Sequence, residues 1–160
     1  DLLLGFNPSM LESISCAAAR CGLRGRWEIL SERPLVVCDI AHNPHGMAPV
    51  MEQLKRELES RSDGKLFMVF GVMADKDLES VSGFLPRRGY FYFTQADSPR
   101  AMDCEELRYR LCSLGFEGES EKSIQNAVKK CLSQVDENDV VYIGGSSYVV
   151  AEVLKLFEKN

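Results

Sequence analysis

The chain has 160 residues, 45% of them hydrophobic and 27% charged, which is typical of one globular domain. Its formal net charge of −5 excludes a dominant basic surface of the kind that binds nucleic acid or an anionic membrane. No apolar run approaches the ~18 residues of a membrane span, and the opening residues lack the basic flank of a signal peptide. We therefore expect a cytoplasmic protein with neither a nucleic-acid nor a membrane partner.

Six cysteines are spread along the chain without a C-x-x-C pair, namely Cys16, Cys21, Cys38, Cys104, Cys112 and Cys131. A domain of this size buries enough apolar surface to fold without disulfide bonds, so free thiols are expected. A zinc site is not expected, because the only histidines, His42 and His45, have no cysteine near them at ligand spacing.

The predicted elements alternate along the chain. The first is a helix over Pro8 to Cys21, with Asn7 as its cap and Gly22 as its stop. Strands are predicted from apolar runs at Arg26 to Leu30, Leu35 to Asp39, Leu66 to Gly71, Tyr90 to Thr94, Gly115 to Gly118 and Asp139 to Ile143. Helices are predicted from helical apolar spacing at Pro44 to Glu59, Leu78 to Leu85, Glu105 to Leu114, from Ser123 onward, and at Ser146 to Glu158. Asp103 and Ser123 are the predicted caps of two of these helices.

Such alternation predicts an α/β fold in which right-handed crossovers join parallel strands. We expect a three-layer α/β/α sandwich built on a mostly parallel, Rossmann-like sheet. The one change in composition is the glycine-rich, basic stretch from Gly22 to Arg26. We interpret residues 1–24 as an appended piece with a linker and residues 25–160 as the domain.

Polar residues gather in the loops that follow four of the predicted strands, at residues 39–46, 71–77, 94–100 and 144–147. Ligands of open α/β sheets bind beyond the carboxyl ends of the strands. The predicted donors toward one anion are His42, Lys76, Arg100 and Ser146, assisted by helix N-termini. The acids that could face an ammonium are Asp39, Asp75 and Asp97. Each loop alone has a structural explanation as a cap or turn, and together they predict a site for a zwitterion with an additional carboxylate.

Several motifs are missing from the sequence. There is no G-x-x-x-x-G-K-[ST], so the chain does not contain the phosphate loop of P-loop enzymes. No G-x-G-x-x-G follows the first strand, which argues against a dinucleotide site, and no G-x-S-x-G nucleophile elbow is present.

Five ordered motifs carry a resemblance to a known family: Gly25-Arg26-Trp27-Glu28, Asp39-x-Ala41-His42-Asn43-Pro44, Val69-Phe70-Gly71-x-x-x-Asp75-Lys76-Asp77, Pro99-Arg100-Ala101 and Gly145-Ser146-x-Tyr148-x-Val150. Over residues 25 to about 155, the chain resembles the carboxyl-terminal domain of the folylpolyglutamate synthase/dihydrofolate synthase family, within the Mur ligase superfamily. The resemblance implies an ATP-dependent ligase in which glutamate attacks an acyl phosphate. It also implies that residues 1–24 end a preceding ATPase domain and form the interdomain linker.

The resemblance further assigns site residues. Arg26 resembles the linker arginine that reaches the ATP phosphates, and Asp39 and Asn43 fall on the nucleotide side of the cleft. His42 and Ser146 resemble residues that hold glutamate. Lys76 and Arg100 are assigned to glutamate from loop position, and residues 97–100 resemble the D-N-P-R loop with which a muramyl ligase binds its incoming amino acid.

The family's amino-terminal ATPase domain is expected to hold Mg²⁺, most of the ATP and the folate or dihydropteroate. We therefore expect no metal ligands or catalytic residues in this chain, a monomer, and no turnover by the 160 residues alone. Two residues depart from the family pattern: Ile40 replaces a usual glycine and Arg24 a common proline, which puts loop geometry in question.

Two alternatives remain open. One is the domain of a muramyl or cyanophycin-type ligase, with the same chemistry and another acceptor. The other is a non-catalytic α/β module that binds an amino acid or nucleotide for regulation. A P-loop lysine encoded upstream in the same reading frame would exclude the second.

Overall fold

The computed structural model describes residues 24–158, and the helix expected at residues 8–21 lies outside them. The strands are β1 (Glu28–Glu32), β2 (Leu35–Asp39), β3 (Leu66–Phe70), β4 (Tyr90–Phe93), β5 (Glu117–Ser120) and β6 (Val140–Gly144). The helices are α1 (Pro44–Glu59), α2 (Leu78–Ser82), α3 (Cys104–Ser113), α4 (Ile124–Leu132) and α5 (Ser147–Phe157). The predicted alternation of strand and helix is confirmed from β2 onward.

All of these strands form one sheet in the order β1-β2-β6-β3-β4-β5. Every neighbouring pair from β2 to β5 is parallel, which confirms the mostly parallel sheet. The strand β1 is the exception, because it pairs with β2 in an antiparallel hairpin. The expectation that strand and helix alternate throughout is wrong at this point. Only Arg33 and Pro34 separate the two strands, whereas a parallel crossover requires about a dozen residues or more.

Helices cover both faces of the sheet and give the predicted three layers. Apolar side chains of α1, α2 and α3 pack in one core cluster, and those of α4 and α5 pack in the other. The strands β2, β3 and β6 are buried along their whole length, as expected for continuous apolar runs between two helical layers.

The topology opens a crevice at one edge of the sheet. From β3 to β5 the chain advances toward one side, and α4 then carries it back over the opposite face to insert β6 beside β2. The neighbouring strands β2 and β6 therefore lead into α1 and α5 on opposite faces. Their connecting loops diverge at this point, which is where ligands bind in open α/β sheets.

Some element ends differ from the predictions for local reasons. The strand β1 begins at Glu28 instead of Arg26, because Gly25 and Trp27 have φ angles of 75° and 43°. These left-handed conformations interrupt an extended strand. Likewise β5 begins two residues later than predicted, after Gly115 with a φ of 90°.

The ends of the helices are also set by local hydrogen bonding. The helix α2 stops three residues earlier than predicted, at Ser82, where the next backbone hydrogen bonds span three residues instead of four. The predicted caps are confirmed: the Asp103 carboxylate accepts from the first-turn amides of α3, and the Ser123 hydroxyl accepts from the Asn126 N–H in α4.

Two further expectations concern membrane spans and thiols. In residues 24–158 no helix has the length and apolar character needed to cross a bilayer. The cysteines in this range are free thiols, as expected, and they are Cys38, Cys104, Cys112 and Cys131. Cys16 and Cys21 lie outside it.

Candidate functional site

A crevice of about 120 Å³ lies where the loops after β2, β3, β4 and β6 meet. Its lining consists of His42, Met73, Asp75, Lys76, Arg100, Gly145, Ser146, Ser147 and Tyr148. The four donors predicted to face one anion therefore lie around one crevice, although they come from four separate loops. The sequence pattern located them because carboxyl ends of parallel strands share one edge of the sheet.

The loops after β3 and β4 are joined by backbone hydrogen bonds. The Ala74 N–H donates to the Arg100 carbonyl at 2.8 Å, and the Met102 N–H donates to the Val72 carbonyl at 2.9 Å. This short antiparallel contact fixes the two loops side by side and brings Arg100 to Asp75 at the mouth of the crevice.

The Arg100 guanidinium pairs with Asp75, with 3.2 Å between Nη2 and Oδ2. The two side chains are 64% and 59% exposed, so water screens the pair and its contribution to stability is about 0–1 kcal/mol. A predicted anion donor and a predicted ammonium acceptor thus neutralise each other in this structure. Because the pair is weak, Arg100 and Asp75 can separate at little cost.

His42 is oriented by its own loop. Its Nδ1 lies 3.0 Å from the Ile40 carbonyl oxygen, which only accepts, so Nδ1 carries the hydrogen in this contact. The other ring nitrogen, Nε2, is left for a ligand. The Ala41 N–H, in the same loop, donates to the Asp39 carboxylate at 2.7 Å. Ile40 has no left-handed φ, so the loop does not need the glycine that is usual in the resembled family.

Ser146 caps the helix α5. Its Oγ accepts from the Tyr148 N–H at 3.1 Å, and the residue is 2% exposed. A hydroxyl that accepts one hydrogen bond still has its own O–H to donate, so the cap leaves a donor at the crevice. The structural explanation of Ser146 is therefore correct, and it is compatible with a ligand role.

Asp39 and Asn43, both predicted on the nucleotide side, are occupied by backbone groups. The Asp39 carboxylate accepts from the Trp27 N–H at 2.6 Å as well as from Ala41. Burial raises the pKa of Asp39, while the two amides and the positive charge of Arg26 oppose the rise. The Asn43 Oδ1 accepts from the Gly46 N–H at 2.9 Å and caps α1.

The segment before β1 carries two arginines that differ in their partners. Arg24 lies 2.6 Å from a Glu28 carboxylate oxygen and 2.8 Å from Glu158 at the end of α5. Arg26 is exposed and forms no ion pair with any residue in 24–158. An exposed guanidinium whose charge reaches Asp39 suits phosphate binding, which is the role that the family resemblance gives to Arg26.

Asp97 does not join the other predicted residues. It lies in a second, more open cleft of about 670 Å³ between the loop after β4 and the helices α4 and α5. There its N–H donates to Glu152 at 2.8 Å. We place the candidate site in the smaller crevice, because it is lined by the loops after β2 and β6, which lead to helices on opposite faces of the sheet.

Other features of the site were not recognised from the sequence. Tyr148, 46% exposed at the crevice, belongs to a motif that was noted without assigning it a role. The pairing of Arg100 with Asp75 also depends on the contact between two loops, which local patterns do not encode. Over residues 24–158, no three His, Cys, Asp or Glu residues are grouped so as to hold a metal ion.

Known proteins have sequences similar to that of this chain. Residues 25–147 match the family model described as Mur ligase, glutamate ligase domain. The dihydrofolate synthase/folylpolyglutamate synthase of Escherichia coli (strain K12) is 28% identical over 137 residues, covering 85% of this chain and 31% of that protein. The protein of the same name from Bacillus subtilis (strain 168) is 28% identical over 155 residues, covering 93% of this chain and 35% of that protein. The chain therefore spans about a third of the length of these curated relatives.

Solved structures of proteins with these names have a similar fold. Escherichia coli FolC in complex with DHPP and ADP superposes with a TM-score of 0.75 at 28% identity, covering 84% of this chain and 31% of that chain. A bifunctional folylpolyglutamate synthase/dihydrofolate synthase with Mn, AMPPNP and L-glutamate bound gives a TM-score of 0.74 at 27% identity, covering 85% of this chain and 32% of that chain. The motif resemblance, the sheet topology and the family match thus agree, and the chain belongs to the Mur ligase family as a glutamate ligase domain.

Proposed function

We propose that this chain is the glutamate-binding part of an ATP-dependent ligase that joins L-glutamate to a folate-type carboxylic acid. The acid's carboxylate takes the terminal phosphoryl group of ATP and becomes an acyl phosphate, releasing ADP. The glutamate nitrogen loses a proton and attacks the acyl carbon, an amide C–N bond forms, and phosphate leaves. The observation that carries the proposal is the meeting of His42, Lys76 and Arg100 in one crevice of a glutamate ligase domain.

The crevice offers partners for each charged group of glutamate. Lys76 and Arg100 supply positive charge for carboxylates, and the Ser146 hydroxyl supplies a donor. The exposed Arg100–Asp75 pair contributes only about 0–1 kcal/mol, so exchange of Asp75 for a ligand carboxylate costs little. The exchange frees Asp75 to face the ammonium.

His42 fits either end of the ligand. With Nδ1–H donated to the Ile40 carbonyl, Nε2 of a neutral ring accepts a hydrogen bond, and Nε2 of a charged ring donates one. The neutral ring suits the attacking amine, and the charged ring suits a carboxylate. In both cases the loop fixes the ring plane, so the substrate meets an oriented nitrogen.

The nucleotide part of the proposal rests on the linker. Arg26 is unpaired among the residues described and exposed beside Asp39, so it is free to contact phosphate oxygens. Asp39 and Asn43 hold the adjoining backbone in place through the Trp27, Ala41 and Gly46 amides. ATP with its divalent metal supplies the phosphoryl group and neutralises phosphate charge. Structures of relatives with AMPPNP and Mn support this requirement.

The remaining parts of the proposal concern the whole protein. We place the metal, most of the ATP and the folate or dihydropteroate on an amino-terminal domain, as the family resemblance implies. We also propose a monomer in the cytoplasm. The free thiols of residues 24–158 are compatible with a reducing compartment.

The two histidines of the chain give a matched test. In the full-length enzyme, H42A should raise the KM for glutamate about tenfold to a hundredfold, which corresponds to the loss of one hydrogen bond to a charged group of the substrate, and leave the KM for ATP within a few-fold. H45A is the control, because His45 lies in the first turn of α1, outside the crevice lining. An unchanged glutamate KM in H42A, or an equal rise for ATP, would contradict the proposal.

A substrate panel separates this proposal from the two alternatives. Phosphate release that requires both glutamate and a folate-type acid supports it. Release that requires a muramyl nucleotide instead would favour the muramyl ligase. Glutamate binding without any phosphate release from the full-length protein would favour a regulatory module.

A further inference from the structure

The Tyr142 hydroxyl is a buried polar group without a partner. Tyr142 lies at the centre of β6, the residue is 0% exposed, and its oxygen has no hydrogen-bond partner among residues 24–158. Burial raises the pKa of this hydroxyl and the negative charge of Asp39 adds to the rise, so it stays protonated and remains a donor. Unpaired buried donors are rare because they lose water without gaining a partner, and each one needs an explanation.

The register of the sheet places this hydroxyl beside Asp39. In the parallel pair of β2 and β6, Asp39 is opposite Gly144, two residues beyond Tyr142 on the same face of the sheet. The tyrosine leans along its strand, and a Cβ on Gly144 would overlap its hydroxyl. The same Cβ would lie 2.7 Å from the Asp39 carbonyl oxygen. The unpaired hydroxyl therefore lies close to Asp39, on the face of the sheet that also carries the Asp39 side chain, and the negative charge of Asp39 acts on it.

The Asp39 carboxylate is held at present by two other donors. Ala41 occupies Oδ1 and Trp27 occupies Oδ2. The Trp27 backbone is strained in this contact, because its φ of 43° is in the left-handed region that non-glycine residues disfavour. Two unfavourable features, a strained Trp27 and an unpaired Tyr142, thus flank one carboxylate.

The strain at Trp27 and the unpaired Tyr142 hydroxyl are both relieved if Tyr142 replaces Trp27 as the donor to the Asp39 Oδ2. We propose that Tyr142 is a positioning residue: when the linker turns and withdraws the Trp27 N–H, the Tyr142 O–H takes its place on Asp39. Asp39 keeps two donors in both states, Trp27 regains an ordinary φ, and no buried donor remains unpaired. The two arrangements of donors around Asp39 then form a two-state switch.

The exchange of donors on Asp39 would change the direction in which the Arg26 side chain points. This residue lies between Gly25 and Trp27, and both have left-handed φ angles in the present state. Rotation of the Trp27 backbone therefore moves the Arg26 guanidinium relative to the domain. The exchange itself concerns only residues of this chain, whereas its consequence for phosphate binding rests on the proposed function.

The first test uses the 160-residue chain and needs no substrate. Trp27 is the only tryptophan, so ¹⁵N-tryptophan labelling gives a single backbone amide signal that reports on the exchanging group. Relaxation dispersion should detect μs–ms exchange of this amide in the wild type and in Y92F, and Y142F should abolish it. Tyr92 is a suitable control because it is buried on the opposite face of the sheet. No dispersion in the wild type, or equal dispersion in Y142F, would overturn the proposal.

Thermal unfolding provides a second readout. Y142F should melt at the same temperature as the wild type or higher, because it removes an unpaired donor and keeps the ring. A lower melting temperature would show that the hydroxyl already has a partner, such as a buried water, and would overturn the proposal.

The link to catalysis is tested in the full-length enzyme. Y142F should lower kcat about tenfold and leave the KM for glutamate within a few-fold, since Tyr142 does not line the glutamate crevice. An unchanged kcat together with the loss of Trp27 exchange would overturn the link to Arg26 and leave the exchange intact. Failure of the proposed function would instead appear as an inactive wild type.

Discussion

Gly145 determines the path of the chain at the turn between β6 and α5. Its φ of 92° lies in the left-handed region, and a Cβ at this position would be 2.6 Å from the Gly71 carbonyl oxygen. The backbone of the turn therefore packs directly against the backbone at the end of β3. This close approach places Ser146 and the first turn of α5 at the crevice, so one glycine shapes the side of the crevice that we propose for glutamate.

We expect G145A to destabilise the domain by about 2 kcal/mol or more, from the left-handed backbone and the overlap combined. The matched control is G83A, because Gly83 has a φ of −61° and its Cβ would meet nothing closer than 3.9 Å. That substitution should be neutral or stabilising by about 0.4–1 kcal/mol. Urea unfolding of both variants measures the difference, and equal stabilities would contradict the strain at Gly145.

The candidate residues could be located from the sequence but their partners could not. Position after a strand identified His42 and Ser146, because strand order along the chain needs no knowledge of side-chain direction. The pairing of Arg100 with Asp75 depends on two loops meeting across the sheet. The unpaired Tyr142 depends on the register of β2 against β6. These contacts are non-local, so neither propensity nor spacing contains them.

At the scale of elements, the segment that leads into β1 has one paired arginine and one without an ion pair among residues 24–158. Arg24 bridges Glu28 and Glu158 and so ties this segment to the end of α5, whereas Arg26 remains exposed. Burial disfavours the charged form of Glu28, but hydrogen bonds from Arg24 and the Gly25 N–H outweigh it and lower the pKa of Glu28. The anchoring therefore persists at neutral pH and is lost only as the pH falls through that lowered pKa.

In the full-length enzyme, R26A should lower kcat by an order of magnitude or more, as removal of one donor to a developing charge does. R24A is the control, because it tests whether removing the neighbouring arginine also lowers kcat. It should lower the melting temperature and leave kcat within a few-fold, because Arg24 contacts carboxylates of its own domain. Equal kcat values in R26A and the wild type would show that Arg26 is only a solvated charge.

The elements themselves were largely predictable. Continuous apolar runs identified β2, β3 and β6 because strands between two helical layers need no polar face. The antiparallel β1 was not anticipated, since its orientation follows from the two-residue connection and not from its own residues. Its first residue was misplaced because Trp27 is left-handed, a conformation that no sequence rule assigns to tryptophan.

At the scale of the whole molecule, two apolar clusters on opposite faces of one sheet support independent folding of residues 24–158. Cys38 and Cys131 lie in the cluster beneath α4 and α5. Burial raises the pKa of each thiol to about 12. These thiols therefore report on the integrity of that layer without any substrate or partner domain.

In the isolated chain at pH 8, Cys38 and Cys131 should resist alkylation, because about one thiol in ten thousand is ionised at a pKa of about 12 and both are buried. Cys112, which is half-buried on α3, serves as the internal control and should react first among the cysteines of residues 24–158. Peptide-resolved mass spectrometry over a urea series measures each site separately. We expect Cys38 and Cys131 to become reactive together, at the midpoint of global unfolding, since both belong to one core cluster. Rapid labelling of either thiol in the absence of urea would show that the isolated chain does not form this layer.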